Sequence, residues 1–207
     1  MSEVTMQVNI RVLRAFARHI AARRDIRFYL ESVRVEPYNG GTIYSATDGH
    51  IMARWYESET ANPDLPRTLL HAADLRLIAA PKKGALSVDT VGRLPDGRWL
   101  IADRAIRVIE GGKMLDLTKS VPAYGSGAVA QFNPAYPVRI ARALREIRQN
   151  VGTKDYQCSP SLRYTGESSP IIARVGSSPE FFGLIMPWRA DFATDEVTIP
   201  EWAATQP

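Results

Sequence analysis

The stretch Ser45-Ala46-Thr47-Asp48-Gly49-His50-Ile51-Met52-Ala53 decides how this chain is organised. It joins two apolar, β-prone runs, residues 41–46 and 51–56. Aspartate tolerates turn conformations and glycine supplies a positive φ without steric cost, so Asp48-Gly49 between such runs predicts a tight turn. Taken alone, the stretch predicts a β-hairpin and nothing more.

Two further segments, one before the turn and one far after it, extend the pattern. They read Arg27-Phe28-Tyr29-Leu30-Glu31-Ser32-Val33 and Leu184-Ile185-Met186-Pro187-Trp188-Arg189. In this order the three segments resemble the bacterial sliding clamp, the β subunit of the replicative DNA polymerase. That family has an R-Y-Y-L-x-G strand, an A-T-D-G-H-R-L-A turn and a chain end reading M-P-M-R-L. The resemblance covers about residues 6–190.

The resemblance implies an α+β protein with the DNA-clamp fold, built from repeated half-domains that each read strand, helix, strands. Hydrophobic periodicity predicts three such units. The first has a strand at 6–10, a helix at 11–24 and strands within 26–57. The second has a strand from 68, a helix at 72–80 and strands at 85–94, 98–102 and 105–110. The third has a strand at 128–133, a helix at 134–150 and strands around 161–164, 171–175 and 181–187.

These units predict a division of the chain into four parts. They are a complete clamp-like domain of two half-domains over 1–112, an interdomain linker over 113–127, a clamp-like half-domain over 128–190 and a C-terminal tail over 191–207. The run Gln131–Tyr136 is similar to the G-F-N-V-S-Y segment that opens the second half of the last clamp domain.

Two predicted helices carry arginines along one side with few acids. A solvated helix usually mixes signs, because like charges one turn apart repel each other. Clamp helices line a hole, and their cations contact phosphates without reading bases. The resemblance therefore implies a DNA-binding set of Arg11, Arg14, Arg18, Arg23, Arg24, Lys82, Lys83, Arg139, Arg142, Arg145 and Arg148. The alternative interpretation is a soluble face with cations favourably placed near the helix C-terminus.

In the clamp family, the conserved turn and the chain end wall a hydrophobic pocket in which short peptides dock. Carried over by position, that pocket comprises Leu30, Thr47, Gly49, His50, Ile51, Met52, Leu115, Lys119, Ser120, Leu184, Ile185, Met186, Pro187, Trp188 and Arg189. Two positions depart from the family pattern, because Ile51 replaces an arginine and Trp188 replaces a methionine. The alternative is that these residues are only core and turns of the fold.

Composition narrows the class of protein without naming a partner. The 207 residues are 45% hydrophobic and 23% charged with a net charge of +4, which is ordinary for a globular protein with a real core. One cysteine, Cys158, excludes an internal disulfide. No secretory signal or membrane-spanning run is visible, so we expect a cytoplasmic, nucleoid-associated protein.

No catalytic constellation or metal-ligand spacing is found among His19, His50, His71 and Cys158, and no phosphate-binding loop of the nucleotide-binding types is present. We therefore expect no enzyme and no cofactor. The function implied is that of a sliding clamp-like processivity factor on duplex DNA, which docks polymerase, clamp-loader or repair peptides. The competing interpretation is a clamp-fold interaction module that never encircles DNA.

The chain is short for a clamp, which has three domains per chain and forms a ring of six. One domain and a half per chain predicts a homo-oligomer in which two chains complete a shared domain. Four chains would then supply six domains. The other possibility is that no ring forms.

Overall fold

The computed structural model describes residues 5–60, 66–82, 88–110, 132–148, 158–166, 169–176 and 178–187. Its helices are α1 Ile10–His19, α2 Ala72–Leu75 and α3 Ala135–Ile147. Its strands are β1 Thr5–Asn9, β2 Ser32–Tyr38, β3 Gly41–Thr47, β4 Ile51–Glu57, β5 Thr68–His71, β6 Val88–Arg93, β7 Trp99–Ile101, β8 Arg104–Ile106, β9 Ser161–Arg163, β10 Ile171–Val175 and β11 Ser178–Ile185.

The strands form two antiparallel sheets. One has the order β1-β6-β7-β8 and the other the order β5-β2-β3-β4-β11-β10-β9. The element order strand, helix, three strands occurs twice in succession over residues 5–106. The predicted α+β class and the repeat of strand–helix–strands units are therefore confirmed.

The first strand of each repeat pairs with the other repeat. β1 leads into α1 but pairs with β6, which places Met6 opposite Val91. β5 leads into α2 but pairs with β2, which places Leu70 opposite Val33. Because each sheet takes a strand from both repeats, neither half can complete its hydrogen-bonding ladder alone.

α1 begins at a residue that ties the helix to the neighbouring sheet. Asn9 Oδ1 accepts hydrogen bonds from the backbone N–H of Arg11 (3.1 Å) and Val12 (3.3 Å), which caps the helix. The Asn9 backbone N–H donates to the hydroxyl of fully buried Tyr44 at 2.8 Å, and burial raises the pKa of Tyr44 to about 12. The hydroxyl therefore stays protonated and satisfies a buried amide.

The apolar residues that recur at helical spacing in the first helix form the centre of the core. This spacing predicts burial of Leu13, Phe16, Ala17 and Ile20, and all four are fully buried. Burying side chains of this size stabilises a fold by roughly 1.5–3 kcal/mol each. Val12 and Ala15, which lie off that stripe, are also fully buried. α1 is therefore enclosed on several sides rather than amphipathic in the simple sense.

Several predicted boundaries were wrong, and side-chain caps explain the first. α1 ends at His19 instead of Arg24, and Arg24 has a left-handed φ of 56°. Arg76 Nε donates to Ala17 O at 2.7 Å and Arg76 Nη2 to Ala22 O at 2.7 Å. These long-range bonds satisfy the carbonyls at which the helix stops, a contact that helical periodicity cannot reveal.

Two other segments are shorter or differently folded than predicted. Residues 28–30 form a 3₁₀ turn in place of a strand, and β2 begins only at Ser32. α2 is a single turn, since the bonds that follow it, Leu77 N–H to Asp74 O and Ile78 N–H to Leu75 O, are of the tighter i to i−3 type. The strand predicted at 128–133 lies outside the described residues except for 132 and 133, which are in no strand.

The third unit contacts the first repeat through both a strand and a helix. β11 pairs with β4 in the seven-stranded sheet, and α3 packs against α1. Ile140, Leu144 and Ile147 of α3 are buried, whereas Val138, on the predicted apolar side of that helix, is 48% exposed. The linker at 113–127 and the tail at 191–207 lie outside the described residues.

Replacing Tyr44 with Phe should lower the free energy of unfolding by about 1–3 kcal/mol, because the buried Asn9 amide loses its acceptor. Tyr38→Phe is the matched control, since Tyr38 is exposed. Urea unfolding followed by fluorescence measures both variants. Equal stability of the two variants would show that the Tyr44 hydroxyl does not anchor α1.

Candidate functional site

The turn between β3 and β4 is held by two of its own side chains. Asp48 Oδ1 accepts from the backbone N–H of His50 and of Ile51, both at 2.9 Å. The Thr47 hydroxyl donates to Ile51 O at 2.7 Å and accepts from Gly49 N–H at 3.0 Å. Gly49 has a φ of +92°, which favours glycine. The predicted tight turn is confirmed, and its shape is fixed by side chains more than by backbone pairing.

The end of β11 lies directly beside this turn. Leu184 is opposite Met52, and Ile185 is opposite Ile51. Beyond the strand, Met186 N–H donates to His50 O at 2.7 Å. The two motifs, more than 130 residues apart in the sequence, are therefore neighbours in one sheet.

Most of the apolar residues predicted for the pocket lie beneath the surface. Leu30, Ile51, Met52, Leu184 and Ile185 are buried, each at most 4% exposed. His50 and Gly49 are exposed, Met186 is 38% exposed, and Thr47 and Pro187 are partly exposed. The structure therefore brings these residues together, but gives the first group the role of a buried support. Leu115, Lys119, Ser120, Trp188 and Arg189 lie outside the described residues.

The loop that contains Ile26 and the start of the Arg27–Val33 motif lies against the turn. The guanidinium of Arg27 approaches Gly49 so closely that a side chain there would meet it at 3.1 Å. Ile26 is 98% exposed and Phe28 is also exposed. An exposed apolar pair in a short loop leaves no periodic signal, so only the structure identifies it.

Arg139 of α3 fastens the helix layer to the turn. Its Nη1 donates to Asp48 Oδ2 at 2.6 Å, and its Nε and Nη2 donate to His19 O (2.8 Å) and Ile20 O (3.2 Å). Its guanidinium lies 5.8 Å from the ring centre of Tyr136, and that ring stacks on His50 at 6.2 Å. Arg139 is therefore an internal anchor and differs from the outward-facing cation that was expected.

The three arginines predicted to lie along one side of α1, Arg11, Arg14 and Arg18, differ in their exposure to solvent. Arg11 is buried at 4% exposure, and its Nη2 donates to Lys82 O at 3.0 Å. Arg14 pairs with Glu146 of α3, and the same carboxylate meets His19 Nε2 at 2.9 Å. Of the three predicted stripe residues, Arg18 alone is exposed, because the other two face packed elements.

Glu146 is the acidic partner that holds α1 and α3 together. Burial by itself raises the pKa of this carboxyl, but the hydrogen bond from His19 and the charge of Arg14 outweigh burial and hold the pKa below its usual value. Glu146 is therefore ionised at neutral pH and neutralises cations between the helices.

The remaining cations of the predicted set are at the surface. Arg18, Arg23, Arg24, Lys82, Arg142 and Arg145 are exposed, and Arg148 is partly exposed. Lys83 lies outside the described residues. These positions fall on α1, on the segment that follows it and on α3, with Lys82 beyond α2.

A cleft of about 580 Å³ lies between the end of α1 and the start of α3, on the helix side of the turn. Charged side chains dominate its wall. The lining residues are Arg18, His19, Ala21, Ala22, Arg23, Asp25, Asp48, His50, Arg139 and Arg142. His50 and the turn therefore separate this charged cleft from the apolar group around Ile51 and Ile185.

In the described ranges, His, Cys, Asp and Glu side chains form no group of three or more that could hold a metal ion. No helix among the described residues is both long enough and apolar enough to cross a bilayer.

Solved structures of several other proteins share this arrangement of helices and strands. A DNA polymerase III β subunit from Pseudomonas aeruginosa superposes with a TM-score of 0.59 at 14% identity, covering 90% of this chain and 66% of that one. Polymerase sliding clamps from Bacillus subtilis (TM-score 0.58, 12% identity, 91% and 65% covered) and Caulobacter crescentus (0.58, 15%, 91% and 66%) agree with it. This chain has the sliding-clamp fold. At this level of identity the likeness concerns the fold alone.

The sequence by itself gives no such match, because no family profile fits the chain and no curated protein is detectably similar to it. The chain spans about two thirds of the length of the sliding clamps that it resembles. The motif-based resemblance to sliding clamps is therefore confirmed through structure, in a shorter chain.

Replacing Arg139 with Ala should lower the free energy of unfolding by about 2 kcal/mol, because Asp48 and two carbonyls at the end of α1 lose their donor. Arg142→Ala, three residues further along the same helix, is the control and should change stability by less than about 0.5 kcal/mol. Urea unfolding measures both. If the two variants proved equally stable, Arg139 would be a surface cation like its neighbour.

Proposed function

We propose that this protein is a sliding clamp-like factor that associates with duplex DNA without sequence preference and docks partner proteins at the β4–β11 junction. The observation that carries the proposal is this junction, where both motif-bearing segments meet on the strand side while α1 and α3 pair on the helix side. The exposed arginines of α1, α3 and the segment after α1 support a phosphate-binding face.

The DNA-binding set in this proposal is narrower than the one predicted from sequence. We retain Arg18, Arg23, Arg24 and Arg142, with Lys82, all of which are exposed. Arg11, Arg14 and Arg139 are left out, because each is engaged in contacts between packed elements. Phosphate contacts of this kind are electrostatic, so binding weakens steeply as salt rises and does not depend on sequence.

The docking surface is proposed at the exposed rim of the junction, around His50 and Met186. A structure from Pseudomonas aeruginosa with this fold is described as a sliding clamp bound to griselimycin. A short apolar peptide from a polymerase, clamp loader or repair protein is the partner that this rim would take, with buried Ile51 and Ile185 supporting it from below. We propose no enzymatic activity for this protein.

We propose that the protein is a homo-oligomer in which two chains complete a shared clamp-like domain. Among the described residues, β9 forms one edge of the seven-stranded sheet, and an edge strand is a site for pairing with another chain. Two chains that share half-domains, with four chains in a ring, satisfy this arrangement. Native mass spectrometry of the full chain should show an even-numbered assembly, and a spectrum of monomer alone would contradict the ring.

Charge reversal tests the DNA face. The double variant Arg18→Glu, Arg142→Glu should lose at least tenfold in affinity for a fluorescent duplex, measured by anisotropy at low salt, and the wild-type affinity should fall steeply as salt rises. Arg174→Glu is the matched control, because Arg174 is exposed on β10, where its neighbours Ala173 and Val175 are buried on the opposite face. It should bind as the wild type does.

The same variants separate a clamp from an interaction module. Met186→Glu should lose binding of a peptide from the C-terminus of the replicative polymerase while duplex binding is kept, and the arginine double variant should show the reverse. Unchanged duplex binding in the double variant would favour the interaction module, and sequence-specific or salt-independent binding would contradict the proposal as a whole.

A further inference from the structure

We infer that the cleft between the end of α1 and the start of α3 is a discrete binding site for a compact oligophosphate group. The inference deepens the proposed function. Such a group could come from the phosphates of a DNA strand or from free polyphosphate, and only the DNA source rests on the proposed function. The volume of about 580 Å³ is within the range of small-ligand sites.

Three exposed guanidinium groups line this cleft without a close carboxylate contact among the described residues, although the charge of Arg18 contributes to the low pKa of Glu146. Arg18, Arg23 and Arg142 line it, all three are exposed, and no carboxylate forms an ion pair with any of them in the part of the chain that the structure describes. Arg23 is oriented by a hydrogen bond from its Nη2 to Arg18 O at 3.2 Å. Guanidinium groups bind phosphate oxygens in a bidentate manner, so their convergence favours this class of anion.

The acids near these arginines are already engaged elsewhere. Asp48 is bound by Arg139 and by the turn amides. Asp25 pairs with Arg27 at 2.9 Å, and the hydrogen bonds from Arg27 lower the pKa of Asp25 to about 2. The two carboxylates on the cleft wall are therefore neutralised by Arg27 and Arg139, and the cleft keeps a net positive charge.

The backbone at this end of α1 does not neutralise the cleft either. The C-terminal carbonyls of a helix carry partial negative charge and attract cations. Here Arg76 takes the carbonyls of Ala17 and Ala22, and Arg139 takes those of His19 and Ile20. With these acceptors satisfied, Arg18 and Arg142 are left for an external anion.

Repulsion between arginines near the cleft also favours the binding of an anion. Burial is the main cause that lowers the pKa of Arg76, and the positive charge of Arg23 lowers it further. A bound polyanion would relieve that repulsion. His50 also lines the cleft, within the Asp48 turn, and can donate a further hydrogen bond to a phosphate oxygen.

Isothermal titration calorimetry of the full-length protein with inorganic tripolyphosphate tests this site, at constant ionic strength set with sodium chloride. The wild type should bind one tripolyphosphate per cleft, and Arg23→Gln or Arg142→Gln should weaken binding at least tenfold. Arg174→Gln is the matched control, because Arg174 is exposed on β10 and does not line the cleft, and it should weaken binding less than twofold. Circular dichroism confirms that each variant is folded.

A competition experiment distinguishes the two sources of phosphate. Displacement of tripolyphosphate by a short duplex would identify DNA as the source, and binding that a saturating duplex leaves unchanged would identify free polyphosphate. Absence of tripolyphosphate binding, or equal affinity in Arg142→Gln, would overturn the site even where duplex binding persists. Tripolyphosphate binding without any duplex association would instead overturn the proposed function and leave the site standing.

Discussion

The pairing of β4 with β11 is the constraint on which the rest of this structure depends. It places the third unit against the first repeat in a fixed register, with Ile185 opposite Ile51 and Met186 bonded to His50. On the helix side, two ion pairs of α3 make the same connection. Arg139 pairs with Asp48 of the turn, and Glu146 pairs with Arg14 of α1. Strand pairing and ion pairing therefore fix the same junction from two directions, and every candidate site in the described residues lies around it.

This junction separates two chemically different surfaces by the thickness of one turn. On the strand side, buried aliphatic residues support a rim that is partly apolar. On the helix side, arginines surround a cleft. Asp48 contributes to both, because one of its oxygens shapes the turn and the other holds Arg139. A change at either surface can therefore affect the other through the Asp48 carboxylate, which cannot move without losing either its turn amides or Arg139.

The sequence predicted the class of fold and most strands well, because alternation and turn chemistry are local signals. The turn at Asp48-Gly49 and the burial of Phe16 were both readable in this way. The site was less predictable. Arg11, Arg14 and Arg139 look like surface cations in a helical projection, but their environment is set by residues such as Lys82, Glu146 and Asp48, far away in sequence. The cleft and the exposed Ile26 also arise from tertiary contacts that leave no periodic pattern.

Hydrogen–deuterium exchange of the full-length protein with and without a duplex would locate the DNA-binding face. We predict slower exchange in the segment after α1, residues 20–24, and along α3 when DNA is bound, with β10 and the β6–β8 strands unchanged. Slower exchange on the strand layer, or no change on the helix layer at a DNA concentration that saturates binding, would contradict a DNA-facing helix layer.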